Sequence, residues 1–411
     1  MQMEKKWVRR LLVTNGIVLA VVAAPLVYAV TATEAPAGFD NLTNGFESQS
    51  QMDLDKALFD EREEIADGLG PLYNAQACAE CHQNPVSGAT SQITELRAAR
   101  QDIFGNYSDR PGGSLNNDRA INAAIQERIA GADNVLALRS SLNILGDAFV
   151  EALPDTFFTN TQAAQPSGMK GTIINVPVNE AAAGTTRIAR FGWKNQHASL
   201  LSFSADAYLN EMGITSPMQP TENTSNGVSV AAYDTVADPE DAGTVADPKG
   251  TDVEAFTRFM RSAKVPPRDT VLAATPDAVA GASLFTSIGC ANCHTATAQT
   301  ATAGTVFNGG KYTVPAAIGD KIFHPYSDFM LHDIGEGDGI IQNGGSTSRF
   351  KMRTSPLWGL RTHARLSFDL LDFTRNNAIL FHAGEANPVI NNYINLSVTQ
   401  QNQLITFLNT L

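Results

Sequence analysis

Cysteine is nearly absent from this 411-residue chain, and the little there is falls in two places. All four cysteines lie in Cys78-Ala79-Glu80-Cys81-His82 and Cys290-Ala291-Asn292-Cys293-His294. If both sequences use their thiols, none is left for a structural disulfide or a free reactive thiol. Positive charge is also short. Lys and Arg number 29 against 42 Asp and Glu, giving a formal net charge of −13. That argues against a nucleic-acid partner, which needs a basic face. It suits a basic patch on a partner protein, and it also confers plain solubility. The composition of a disordered chain is lacking too, because 43% of residues are hydrophobic and can build a core. At roughly 100–200 residues per domain, the length predicts two domains or a little more.

The N-terminus has the layout of an export signal. Lys5, Lys6, Arg9 and Arg10 precede an apolar run from Leu11 to Val30, broken by Thr14, Asn15 and Pro25. Val27-Tyr28-Ala29 and Val30-Thr31-Ala32 both offer small residues for cleavage. The run also approaches the ~20 residues that span a bilayer, so an uncleaved anchor competes. Either way the folded part is expected outside the cytoplasm, in the periplasm. Residues 1–32 are read as signal peptide or membrane anchor.

Beyond the leader, Met52–Ile65, Ile93–Phe104, Ala120–Ile129, Asn134–Leu153, Ser199–Met212 and Phe256–Ala263 read as helices. Gly171–Gly184 reads as a short strand or extended loop. Thr275 can cap a helix that starts at Pro276. Ser397 and Gln400 have the form of a capping box before the apolar stripe Leu404, Phe407, Leu408 and Leu411. Pro217–Gly250 repeats Thr-Val-Ala-Asp-Pro and reads as a surface loop insertion. Its acidic residues lack the ligand order of an EF-hand. The expected fold is mainly α, with two cytochrome c-like haem domains, 33–270 and 271–411, and long loops around the haems.

A covalent c-type haem needs two thiols to add across its vinyl groups and an adjacent imidazole to hold its iron. Cys-x-x-Cys-His supplies all three on one turn. Cys78, Cys81, Cys290 and Cys293 are thus the expected attachment residues, and His82 and His294 the iron ligands. A zinc site built from the two Cys-x-x-Cys pairs would join thiols far apart in sequence and leave both histidines to coincidence. A redox Cys-x-x-Cys would need neither the second copy nor the histidines.

Several further stretches resemble one family in order. They are Asp67–Asn74 before the first motif, Arg190-Phe191-Gly192-Trp193-Lys194, Glu211–Ser216, Tyr326-Ser327-Asp328 with Leu331-His332-Asp333, Ser355–Arg361 and Ala378–Ala386. Together they resemble the bacterial di-haem cytochrome c peroxidase superfamily. Within it the chain is most similar to the di-haem oxidoreductase branch, also labelled thiol oxidoreductase. The resemblance implies Glu211 as acid and base over the open face of the first haem, Trp193 as a relay between haems, and His382 closing the second haem where relatives present Met or Tyr. His332 and His363 compete with His382. Arg353 and Arg361 are candidates to bind haem propionates. An interdomain calcium is also implied, with no ligands placed.

The implied activity is reduction of peroxide at the N-terminal haem, with electrons from the C-terminal haem and from a small cytochrome or cupredoxin. The alternative is an electron carrier in which His197, Lys194 or a methionine closes the first haem. Thiols as reductants are a third reading, suggested by the branch label alone. Two departures stand out: Phe203 occupies the place of a glutamine near the peroxide, and Leu366-Ser367-Phe368-Asp369 replaces a His-Asp-Gly.

Overall fold

Ser48 accepts a hydrogen bond from the Gln51 amide and starts helix α1, Gln49–Asp60. It is the first helix in a computed structural model that describes residues 31–238, 251–335 and 337–411. The expected leader lies almost wholly outside these, as does the end of the expected insertion. Among the described residues no helix is long and apolar enough to cross a membrane.

After the first haem motif comes a sheet, which corrects the mainly α expectation. Strand β1, Thr94–Gln101, is its centre. On one side β1 pairs antiparallel with β2, Tyr107–Asp109, and with β3, Leu115–Asn116. On the other it pairs along most of its length with β4, Val135–Ser140, so that Glu95 lies opposite Arg139. Ile93–Phe104 and the first part of Asn134–Leu153 are therefore strand. The Ala120–Ile129 stretch is a strand end at Arg119–Ala120 and a short 3-10 turn at Ala123–Ile125. Non-local pairing decides here. Glu95, Leu96, Arg97 and Ala98 alternate polar and apolar, and both strand edges find partners.

The remaining helices follow their caps. Ser199 accepts from the Leu201 and Ser202 amides and opens α2, Leu200–Ala207. The chain then widens into a π-helical turn, Tyr208–Met212, and stops at Gly213. Thr251 caps α3, Asp252–Ser262, which packs on α1 through an Arg258–Asp55 ion pair at 2.6 Å. Thr275 caps α4, Pro276–Ser287. Thr374 caps α5, Arg375–Phe381. The Ser397 capping box, with both reciprocal bonds, opens α6, Val398–Leu408. Helices α4 and α6 cross at Gly281, where a Cβ would stand 2.0 Å from the Gln403 carbonyl oxygen. Only glycine allows so close an approach.

Ala32–Leu411 forms one compact unit. Its larger core gathers Phe59, Phe149, Phe256, Phe259 and Phe323. A second cluster around Phe285, Tyr393, Leu404 and Phe407 packs against Cys290 and Cys293. Strand Thr33–Glu34 runs parallel to Lys321–Phe323, so the first described residues join a sheet of the C-terminal half. The described part of the expected insertion is partly core, because Met218 and Val230 are buried.

Candidate functional site

Each Cys-x-x-Cys-His sequence borders its own cavity. The N-terminal one has a volume of about 350 Å³ and the C-terminal one about 260 Å³. None of the four cysteines is in a disulfide. Burial raises the thiols of Cys81 and Cys290 to about 12, and that of Cys78 higher still. A pair of cysteines at the wall of each cavity fits the attachment chemistry of a c-type haem.

The N-terminal cavity is built from the haem-motif turn, β1, β4 and the α2–π segment. Cys78–Cys81 forms one helical turn, and His82 follows it with Nδ1 against the Ala89 carbonyl at 3.2 Å. That bond leaves Nε2 for a metal. Enclosure lowers the His82 pKa and favours the neutral ring a metal needs. Among the described residues lining this cavity His82 is the one histidine.

Glu211 enters the same cavity from the π turn, a helix form often found at functional sites. The segment before the haem motif holds it there. The amides of Asn74 and Ala75 donate to the Glu211 carbonyl at 2.7 and 3.0 Å, and Asn74 Nδ2 donates to Glu211 Oε2 at 2.8 Å. Asn74 is itself oriented by the Asp118 amide at 2.8 Å. Burial first, and then the charge of Glu95, pushes the Glu211 carboxyl up to about 8. Glu95 is also desolvated, but Arg97 beside it holds its pKa below the usual range. The Arg97 fork grips both Glu95 oxygens, Nε at 2.6 Å and Nη2 at 3.0 Å.

Trp193 lines both cavities, as do Ser140, Ser141 and Leu142. Its Nε1 donates to the Ser140 carbonyl at 2.8 Å, which ties the indole to the end of β4. Phe203, in the glutamine's expected place, lines the N-terminal cavity and stacks between Phe191 and His197.

In the C-terminal cavity two imidazoles face each other. His294 sets Nδ1 against the Tyr326 carbonyl at 2.9 Å, and His382, just after α5, sets Nδ1 against the Ala378 carbonyl at 2.8 Å. Their ring centres are 6.3 Å apart. Two imidazoles bonded to opposite faces of one metal, each at about 2 Å, put their ring centres roughly that far apart. Burial, with His382 nearby, lowers the His294 pKa to about 4. Trp358 Nε1, His363 Nε2 and Arg375 Nε are buried here and bond to no protein atom. Such orphaned groups fit the acidic edge of a haem.

Of the competitors, His363 lines the C-terminal cavity with Nε2 unbonded, and His332, His197 and Lys194 are held by carboxylates. His332 is held between Asp328 at 2.8 Å and Glu385 at 2.7 Å. Burial opposes its charge, but these bonds outweigh it and raise the pKa to about 12. His197 pairs with Asp206 at 3.1 Å, and Lys194 is buried on Asp338 at 2.6 Å; neither is among the residues that line these two cavities. Arg353 lines the C-terminal cavity and donates Nε to the Gly192 carbonyl at 3.0 Å. Arg361 does not line either cavity. It is exposed, bonds the Pro267 carbonyl and lies over Phe39, so the propionate expectation for Arg361 is corrected. Cys293, Asp328 and His332 form the one cluster of potential metal ligands among the described residues, and it is not an oxygen cage of calcium type.

Glu95 and Arg97 were missed by sequence reasoning, which placed them on a helix. Their alternation with Leu96 and Ala98 was the available signal.

A family described as "Di-haem oxidoreductase, putative peroxidase" matches residues 114–411, beginning after the first Cys-x-x-Cys-His sequence. No curated protein sequence matches the chain. Among solved structures the chain is similar to the diheme peroxidase BthA from Burkholderia thailandensis E264, with 14% identity, 93% of this chain and 95% of that one covered, and a TM-score of 0.42. A MauG-like protein associated with microbial copper homeostasis matches at 15% identity over 95% of each chain, with a TM-score of 0.39. Hydrazine synthase of Kuenenia stuttgartiensis matches at 12% identity over 98% of this chain and 100% of that one, also at 0.39.

Proposed function

We propose, because the chain belongs to this family of di-haem oxidoreductases and peroxidases, that it reduces peroxide at the N-terminal haem with electrons passed from the C-terminal haem. The proposal includes covalent attachment of both haems, through Cys78 and Cys81 and through Cys290 and Cys293. It places the folded part in the periplasm, where a small cytochrome or cupredoxin is the donor. The observation that carries it is an asymmetry. The C-terminal cavity offers a histidine on each side, His294 and His382, whereas the N-terminal cavity offers His82 and then a cluster of acid, base and cation. Two strong ligands close one site for storage and leave the other for a substrate.

Bound haem would supply redox-active iron at each site. The overall reaction takes one peroxide, two electrons and two protons to two waters; the O–O bond breaks and two O–H bonds form. Glu211 gives a proton to the departing oxygen and takes one back from solvent, as a carboxyl with a pKa near the working pH does well. Asn74 fixes the direction of that carboxyl. Trp193, which lines both cavities, is the relay between them.

Stopped-flow mixing of the di-haem protein with hydrogen peroxide tests this reading. A high-spin ferric fraction that reacts with peroxide, and is restored by a reduced cytochrome or cupredoxin, is the expected result. A wholly low-spin protein inert to peroxide would leave the electron-carrier reading in its place.

A further inference from the structure

The N-terminal cavity contains two carboxylates where the proposed chemistry uses one. Glu95 on β1 and Glu211 on the π turn line the same cavity, and their carboxyl groups act on each other. Two enclosed carboxylates that act on each other do not both ionise at neutral pH, so one of them keeps a proton. Their other contacts are unequal. Arg97 engages both Glu95 oxygens from the same strand, and Arg139 lies opposite Glu95 in the strand pairing. Glu211 accepts the neutral Asn74 amide on Oε2 and feels Arg97 through its charge, without the fork.

We infer that Glu95 is a positioning residue: Glu95 and Glu211 hold one proton between them, and the Arg97 fork, by engaging both oxygens of Glu95, assigns that proton to Glu211. This deepens the peroxidase reading and rests on it only for the use made of the proton. Glu211 then waits as the acid, loses its proton to the departing oxygen, and is driven to regain one by the fixed negative charge of Glu95. The pair is also placed to do part of the work of the glutamine that Phe203 replaces, since it supplies a polar wall from a different element.

Charged groups surround the pair on every side. Arg97 and Arg139 come from β1 and β4, Asp206 from α2, Asp118 and Arg119 from the strand end Arg119–Ala120 and the residue before it, and Glu80 with Cys81 from the haem-motif turn. Glu80 is neutralised by Arg62 at 2.6 Å and Arg119 at 3.5 Å, and Asp206 by His197. Of the acidic groups here, Glu95 is the one whose charge, after burial, raises the Glu211 carboxyl.

The test is an infrared pH titration of the ferric di-haem protein, following the carbonyl stretch of a protonated carboxylic acid. The parent is expected to show a band that titrates near pH 8. Glu211→Gln should abolish it. Glu95→Gln should move its midpoint down by about one unit or more, because a like charge has gone. The alkaline limb of the peroxide reaction should move with it. If Glu95→Gln does not hold haem, Arg97→Gln decides instead, and it should add a second carboxylic acid band at neutral pH. A band that survives Glu211→Gln, a midpoint unmoved by Glu95→Gln, or an unchanged band in Arg97→Gln would each overturn the inference. Because the band is read without turnover, a protein inert to peroxide that still shows these shifts refutes the peroxidase reading and leaves the pair intact.

Discussion

His382 was found from a family position, and its placement opposite His294 turns that into a measurable claim. Replacing His382 with Ala removes one of two facing imidazoles and leaves the other bonded to the Tyr326 carbonyl. The C-terminal haem should pass from low spin to high spin in the ferric absorption spectrum, while the N-terminal haem keeps its bands. An unchanged spectrum would mean that another group, such as His363, ligates the iron. Glu211 carries a second residue-scale consequence. Burial and then Glu95 raise its pKa from 4.5 to about 8, and burial raises that of Asp147 from 3.8 to about 7. Between those values the folded protein keeps a proton that the unfolded chain has released. The stabilising contribution is complete below the unfolded value and is lost as pH rises through the folded value. The parent should therefore lose more stability than Glu211→Gln between about pH 5 and about pH 8. Urea unfolding at the two pH values measures this, and parallel losses would contradict it.

The π turn is the element on which Glu211 depends. It ends at Gly213, with φ +70°, where a Cβ would stand 2.4 Å from the Leu72 carbonyl oxygen. Gly213→Ala combines an unfavourable backbone with a collision, so it should destabilise by roughly 1–3 kcal/mol. It should also reduce the rate with peroxide, since Asn74, Ala75 and Gly70 all bond to this turn. A denaturation midpoint equal to the parent's would show that the turn yields without cost. Elements set by local chemistry were legible before the structure. Thr275 and Ser397 each cap the helix their side chains predict, because a cap is decided within four residues. The two Cys-x-x-Cys-His sequences are local in the same way, and each borders a cavity. Strand β1 was not. Its pattern is short, compatible with a helix, and resolved by β4, which arrives only at Val135. With the strand went Glu95 and Arg97, so the unread part of the site is the part that depends on non-local pairing.

For the molecule as a whole, the wall between the cavities matters more than either cavity. Ser140, Ser141, Leu142 and Trp193 belong to both. Replacing Trp193 with Ala should leave both haems bound and slow electron transfer from the C-terminal to the N-terminal site, read as slower decay of the peroxide-oxidised spectrum after a reductant is added. Transfer at the parent's rate would remove the indole from the path. The resemblance that suggested Trp193 could name a relay, but no spacing in the chain says that its indole Nε1 anchors to Ser140, 53 positions away.

The same wall has an optical consequence. The chain has three tryptophans. Trp193 touches both cavities and Trp358 only the C-terminal one. Haem quenches the emission of an indole beside it, so the two residues emit differently according to which cavity is filled. Fluorescence of Trp193→Phe and Trp358→Phe proteins, followed during maturation, would therefore reveal the order in which the two haems are loaded.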